Sequence, residues 1–354
     1  MKNRINTLRA KLDALGIDAC LVTSGISHRY LTSIDNDSAF LLITKENAYA
    51  LEDFRYTEIA RTTLDGIYTV IDPKSRPFDI INEVIANEKI NTVGIENRSI
   101  TVYEYEQFKN KIKARLSFID DVIISMREVK SPEELNKIAI AQEITDGAFA
   151  HILKALTPTM TENDVAAELE YYMRKHGAQD KSFETIAVSG AKSSMPHGTP
   201  SDTKLKKGFL TMDFGALYDG YHADMTRTVC IGKADSDMKK LYNTVLTAQK
   251  SALEFLKAGV KCSDADKIAR DIINKDYKDC FGHSLGHGVG LEIHEQPNLS
   301  PSSQKILTYG NVVTVEPGIY IAGKYGCRIE DLVIITEGEV RNLTKSPKEL
   351  IEIY

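Results

Sequence analysis

Apolar residues at Ile5, Leu8, Leu12 and Leu15 recur at helical spacing and stop at Gly16, and a short apolar run follows at 19–22. Further short β-type runs lie at 40–43, 68–71, 92–95 and 118–124, with helical patterns between several of them. Such alternation predicts an α/β domain around a mixed or parallel sheet. This stretch holds many Asp and Glu but no cluster of His, Cys and carboxylates, which suits a scaffold or an oligomerisation domain.

A sharp helix start stands at Ser131-Pro132-Glu133-Glu134: serine can cap, proline fits the first helical position, and Glu134 lies three residues after the cap. Apolar positions recur at Leu135, Ile138, Phe149, Ile152 and Leu156. A boundary near 125–130 divides the chain into domains 1–127 and 128–354. The second domain is expected to carry helices at about 132–155, 161–175, 237–258 and 264–275, with strands near 184–189, 208–229 and 311–336. That pattern is α+β. No repeat of short fixed period is visible.

Composition narrows the class. With 44 Lys and Arg against 50 Asp and Glu over 354 residues, the net charge is −6. Neither half is a basic arm, which argues against a nucleic-acid partner. The apolar runs at 40–43 and 122–124 are far too short to cross a bilayer, and 1–16 has no apolar secretion core. Five cysteines, odd in number and without CxxC spacing, predict free thiols and a cytoplasmic location.

Candidate chemistry is confined to the second domain. In Met212–Thr228, Asp219-Gly220 is a hairpin turn signal. A turn there sets Asp224 opposite Gly215 and Asp213 one pair along on the same face, a diagonal of roughly 7–8 Å. Met212, Phe214, Ala216, Ala223 and Met225 then form the core face. Alone, the two acids also suit a solvated strand face. Glu316 closes the apolar run VVTV before Pro317-Gly318, and Glu330 interrupts another apolar stretch. Carboxylates in such runs are expensive unless paired or metal-bound. A structural ion pair of Arg328 with Glu330 or Asp331 explains one acid but leaves Glu316 unexplained.

Three of the eight histidines, His283, His287 and His294, fall within twelve residues, in a stretch too glycine-rich for a stable helix. That excludes the helical HExxH zinc arrangement. GHSLG matches the nucleophile-elbow pattern at Ser284, yet no histidine follows His294 to serve as its base. GxGxG at 286–290 lacks the remainder of a phosphate-loop or dinucleotide fingerprint. His197, between Pro196 and Gly198, reads as a loop histidine.

Together, Asp213, Asp224, Glu316, Glu330 and His287 form a hard, oxygen-dominated donor set without a thiolate. Four gathered carboxylates repel by several kcal/mol in order of magnitude, and two divalent cations would relieve this. Paired metals activate water and clamp a carbonyl oxygen, so hydrolysis follows.

MDFGALYDGYHADMTRT, GHSLGHGVGLEIHE, VEPGIY and GCRIED, in this order and spacing, resemble the pita-bread metallopeptidases of the Xaa-Pro dipeptidase (prolidase) and aminopeptidase P type. The resemblance covers the whole chain: a creatinase/prolidase-like N-terminal domain and a pita-bread catalytic domain. It implies that Asp213 binds one metal, His287 and Glu316 the other, and that Asp224 and Glu330 bridge both. Manganese is the first expectation, with cobalt, zinc or iron as alternatives. It further implies attack by a metal-bridging hydroxide on the bond before a second-position proline. Glu316 would handle the water proton, His197 and His294 would contact the scissile carbonyl, and His283 would shape the pocket. Tyr320 and Arg328 would orient substrate or organise the metal shell. Small Xaa-Pro peptides are the expected partners, and a homodimer is expected. A methionine aminopeptidase and a non-catalytic scaffold on the same fold are the competing readings; the scaffold predicts a lost ligand, and all five are present.

Overall fold

The computed structural model describes residues 1–353, the side chain of Asp120 excepted. The chain separates into two units, Met1–Arg127 and Glu128–Tyr354. In the first, α1 (Lys2–Ala14) buries Ile5, Leu8 and Leu12, while Leu15 just past its end stays exposed. Six strands follow: β1 (Ala19–Val22), β2 (Phe40–Thr44), β3 (Ala48–Leu51), β4 (Thr69–Ile71), β5 (Thr92–Ile95) and β6 (Arg115–Phe118). They form one mixed sheet in the order β4-β3-β2-β1-β5-β6. The pairs β1–β2 and β2–β3 are antiparallel, and the others are parallel. Helices α2 (Gly25–Thr32), α3 (Thr57–Thr63), α4 (Pro77–Asn87) and α5 (Val102–Lys111) connect them.

Two local expectations are corrected. The apolar run at 118–124 is not a strand beyond Phe118: α6 (Asp120–Glu128) begins there. Ile119, Val122, Ile123 and Met126 are buried, at helical spacing, and a short apolar run cannot by itself separate strand from buried helix. Strand β3 carries little signal in the sequence, because its two alanines have little β preference. This unit also assembles a buried polar pair: His28 Nε2 lies 2.8 Å from Glu52 Oε1, and Asn36 Nδ2 donates to Glu52 Oε2 at 2.7 Å.

The second unit consists of two halves, each a helix pair packed on a sheet. Helices α7 (Pro132–Ala155) and α8 (Glu162–Lys175) open the first half. Ser131 and Glu134 close the expected capping box on α7, and Thr161 and Asp164 do so on α8. Strands β7 (Asp180–Lys181), β8 (Ile186–Ser189), β9 (Gly208–Phe214), β10 (Ala216–Tyr218), β11 (Tyr221–His222) and β12 (Met225–Ile231) follow. Phe149, Val165 and Leu169 meet Leu210, Met212, Phe214, Met225 and Val229 in its core.

The second half repeats the plan with α9 (Ser236–Phe255) and α10 (Cys262–Asn274). Its strands are β13 (Gly286–Gly288), β14 (Glu295–Leu299), β15 (Val312–Val315), β16 (Gly318–Ile321), β17 (Tyr325–Arg328), β18 (Asp331–Ile334) and β19 (Arg341–Asn342). Leu241, Val245, Ala265 and Ala269 pack with Val313, Val315, Val333 and Ile335. A last strand, β20 (Glu352–Ile353), returns to β12, giving sheet orders β20-β12-β9-β8 and β14-β13-β15-β18-β19.

The Asp219-Gly220 turn forms as the sequence indicates. Both residues have positive φ (45° and 75°), as a two-residue type I′ hairpin requires. Tyr218 pairs with Tyr221, and the same register runs on to Phe214–Met225 and Asp213–Thr226. A Cβ on Gly215 would lie 1.9 Å from the Ala223 carbonyl oxygen, so the two strands approach there as only glycine permits.

Candidate metal centre

The hairpin register carries Asp213 on β9 and Asp224 just before β12 to one face. Glu316 follows β15, and its backbone N–H donates to the Leu285 carbonyl at 2.8 Å. Glu330 sits in the two-residue break between β17 and β18, where its N–H donates to the Thr226 carbonyl at 3.1 Å. His287 lies on β13. All five line a single cavity of about 570 Å³, together with His197, His283, His294 and Arg328. Tyr320, on β16, reaches the same group of side chains: its hydroxyl lies 2.9 Å from His283 Nε2 and accepts from Arg328 at 2.7 Å. His197 is exposed on its loop.

The centre is tight. Asp224, His287 and Glu330 each present a ligand atom within 4.8 Å of the other two. His287 Nε2 is 3.5 Å from Asp224 Oδ2 and 3.4 Å from Glu316 Oε1. Its Nδ1 lies 3.0 Å from the Gly288 carbonyl oxygen. A carbonyl can only accept, so Nδ1 carries the proton and Nε2 faces the carboxylates with a free lone pair, as a metal ligand requires. The Thr314 hydroxyl accepts from the His287 N–H at 3.0 Å and donates to Glu316 Oε1 at 3.2 Å, tying two of the five together.

Electrostatics point the same way. Burial, then the neighbouring Glu330, Asp213 and Glu316, pushes the Asp224 carboxyl well above its usual range. Burial followed by Glu316 and Asp213 does the same to Glu330. Glu316 is raised to about 8 by burial, against the opposing pull of Arg328. His287 and His283 are each lowered to about 4, chiefly by burial. Burial also lowers His294, whose ring centre is 4.3 Å from that of His287. One oxygen each of Asp213 and Asp224 is buried with no hydrogen-bond partner. Buried polar atoms are rarely left unpaired. Two orphaned carboxylate oxygens beside a neutral imidazole lone pair and two more acids fit hard divalent cations.

The alternative ion pair of Arg328 with a neighbouring acid is not formed. Arg328 pairs with neither Glu330 nor Asp331 but with Asp213, at 2.5 Å. Its Nε donates to the Thr226 hydroxyl at 2.9 Å, which in turn donates to Glu330 Oε2 at 2.6 Å. Asp331 is taken instead by Arg227 at 2.8 Å and Lys348 at 2.6 Å. Thr226, Thr314 and Arg227 escaped the sequence reading, since a threonine or arginine inside a strand carries no signal of what lies across the sheet. Hydroxyls two residues from a carboxylate, as in Asp224-x-Thr226 and Thr314-x-Glu316, were the available hint.

Residues 136–337 match the model of metallopeptidase family M24, and residues 4–129 match the creatinase/prolidase N-terminal domain. The chain belongs to family M24. As an M24 metallopeptidase it is metal-dependent, with Asp224, His287 and Glu330 as its candidate metal site. It is 37% identical to an Xaa-Pro dipeptidase of Pyrococcus furiosus, covering 99% of this chain and 100% of that one. Its fold matches the solved Xaa-Pro dipeptidase from Bacillus anthracis with a TM-score of 0.96 at 40% identity, over 99% of each chain. It matches the X-Pro aminopeptidase from Thermotoga maritima with a TM-score of 0.90 at 36% identity, over 97% of this chain and 100% of that one. The M24 peptidase thus has the creatinase/prolidase α/β domain and the pita-bread catalytic domain along its whole length. Among the described residues, no helix is long and apolar enough to cross a membrane.

Proposed function

We propose that this M24 peptidase hydrolyses the bond between an N-terminal residue and a following proline. The observation that carries the reading is the convergence of four carboxylates and an Nε2 lone pair on one cavity, two of the carboxylate oxygens being buried and unpartnered. The relatives named as Xaa-Pro dipeptidases and aminopeptidases support the substrate class. So do the apolar side chains of Phe183, Ile186, Pro196 and Ile293, which line the cavity beside the acids and suit a proline ring.

In this reading Asp213, Asp224, His287, Glu316 and Glu330 hold two divalent cations, manganese before cobalt, zinc or iron. When bound, such a pair activates water at neutral pH and polarises the scissile carbonyl. The chain's own groups do the rest. Glu316, with one oxygen held by Thr314, takes the proton of the attacking water and passes it toward the leaving nitrogen. Proline makes that nitrogen a secondary amine, which needs a proton as the bond breaks. His294 and His197 donate to the carbonyl oxygen as charge develops on it. Arg328, with four N–H bonds to Asp213, Tyr320, Thr226 and Pro196, organises the ligands rather than reaching for substrate. Tyr320 and His283 complete that wall.

Homodimerisation and a cytoplasmic location belong to the same proposal. Phe54 (80% exposed) and Ile59 of the first unit are apolar side chains that an association would cover. All five cysteines are free thiols, as suits a reducing compartment.

The test is metal content after purification, followed by Ala-Pro, Ala-Pro-Ala and Met-Ala-Ser offered side by side. Two divalent ions per chain with cleavage of Ala-Pro is the expected result. Release of methionine alone would point to a methionine aminopeptidase, and neither metal nor turnover to a non-catalytic protein. Light scattering reads the dimer.

A further inference from the structure

We propose that the ion pair Asp266–Arg270 on α10, outside the cavity, is a positioning device for catalysis that fixes His283 and, through it, Tyr320. Asp266 is 1% exposed. Arg270 grips it with two bonds, Nε to Oδ2 at 2.7 Å and a terminal nitrogen to Oδ1 at 2.9 Å. The remaining donors leave the helix. Arg270 donates to the carbonyls of Phe281 and His283, each at 2.7 Å, and its guanidinium lies 4.4 Å from the centre of the Phe281 ring. Asp266 Oδ1 accepts from the Leu285 N–H at 3.0 Å. The ion pair therefore holds the irregular backbone on both sides of His283, sharing the Leu285 N–H with the Leu299 carbonyl of β14 at 2.9 Å.

What this fixes is a directed chain of hydrogen bonds. His283 Nδ1 is 2.9 Å from the Ser284 carbonyl oxygen, which can only accept, so Nδ1 carries the ring proton. Arg328 can only donate to the Tyr320 oxygen, so the tyrosine gives its own proton to His283 Nε2 at 2.9 Å. Arg328 also holds Asp213. Both His283 nitrogens are thereby used: it is an oriented acceptor for Tyr320 and not a free base.

The other half of the unit supports the assignment. There the second helix again supplies a buried carboxylate to a histidine loop. Glu162, fully buried at the start of α8, accepts from the Ser189 N–H at 2.8 Å, Lys192 at 2.6 Å and the Ser201 hydroxyl at 2.9 Å, on either side of His197. The two devices differ in detail: Glu162 is the first residue of α8 and meets Lys192 beyond the helix, whereas Asp266 is the fifth of α10 and meets Arg270 on the same helix.

The proposal rests on the peptidase reading for its kinetic arm only. Because a lone charge left at this site could unfold the protein, the decisive variant is the double substitution Asp266→Leu/Arg270→Met, which removes both charges together. In full-length protein labelled at its eight histidines, the His283 ring signals are identified by their loss in His283→Gln. The double variant is expected to keep its metal content and a melting temperature near wild type. Its His283 ring should lose the single Nδ1–H tautomer, and kcat on Ala-Pro should fall by about 10- to 100-fold with KM little changed. Arg270→Lys, which keeps the charge, is expected to recover part of kcat. A folded double variant with the wild-type His283 tautomer and wild-type kcat overturns the proposal. If wild type cleaves no Xaa-Pro peptide, the functional reading fails, and the tautomer signal still decides this one.

Discussion

The β9–β12 hairpin and the histidine loops bring side chains to the same cavity by different means. In the hairpin, a two-residue turn and one register kept across two ladder segments fix Asp213 and Asp224, so position follows from counting pairs. His197, His283 and His294 sit outside such ladders. Near each stands an ion pair with a buried carboxylate that does not line the cavity: Glu162–Lys192, Asp266–Arg270 and Lys130–Glu295, the last at 2.6 Å with both side chains nearly inaccessible. Regular backbone positions a residue through hydrogen bonds it makes anyway. Irregular backbone needs dedicated charges. The proposed metal ligands lie mostly on or next to strands, and the groups proposed to contact substrate lie mostly on pinned loops.

The comparison can be broken at its strongest point first. Asp224→Asn is expected to lower activity by about 1000-fold or more and to reduce bound metal while the fold persists. Normal metal content with full activity would remove Asp224 from the centre. Gly215→Ala attacks the register itself: the added Cβ meets the Ala223 carbonyl, and a cost of about 3–4 kcal/mol is expected in denaturant unfolding. A wild-type midpoint would mean the ladder is looser than its pairing indicates.

On the loop side, Glu162→Gln leaves Lys192 without its carboxylate. Here kcat is expected to fall by about 10-fold with metal content unchanged, and an equal fall in metal content would show that ladder and loops are not separable. A last effect concerns stability after chelation. Glu316 at about 8 in the folded chain lies above its ordinary value of 4.5, so the folded state holds a proton that the unfolded state has released. Stability then falls as pH rises through that interval, by up to about 1.4 kcal/mol per unit for each such group. His287 and His283, lowered to about 4 from 6.5, act in the opposite sense below pH 6.5, so the window from 6.5 to 8 isolates the carboxylates. The chelated protein should melt lower at pH 8 than at pH 6.5, with added manganese removing the difference. A flat profile would contradict the raised carboxyls.

Much of the molecule could be read from residue order. Ser131-Pro132-x-Glu134 encodes its helix start through short-range bonds, and Asp219-Gly220 encodes both turn and register, because these signals lie within a few residues. The run at 118–124 misled because apolarity says that a segment is buried, not in which conformation. The arginine partners were also hidden. Arg328 has acids two and three residues away, yet the extended backbone sends its side chain across the sheet to Asp213, 115 positions earlier. Asp266 and Arg270, at helical i,i+4 spacing, look in sequence like an ordinary surface pair. Only the loop folded over them gives them a task.

Arg328 has one more consequence. By lending its fixed charge to Asp213 and, through Thr226, steadying Glu330, it partly offsets the mutual repulsion of the acids before any cation arrives. The polypeptide itself thus supplies part of the positive charge that four gathered acids demand, which lowers the cost of closing the strands around them.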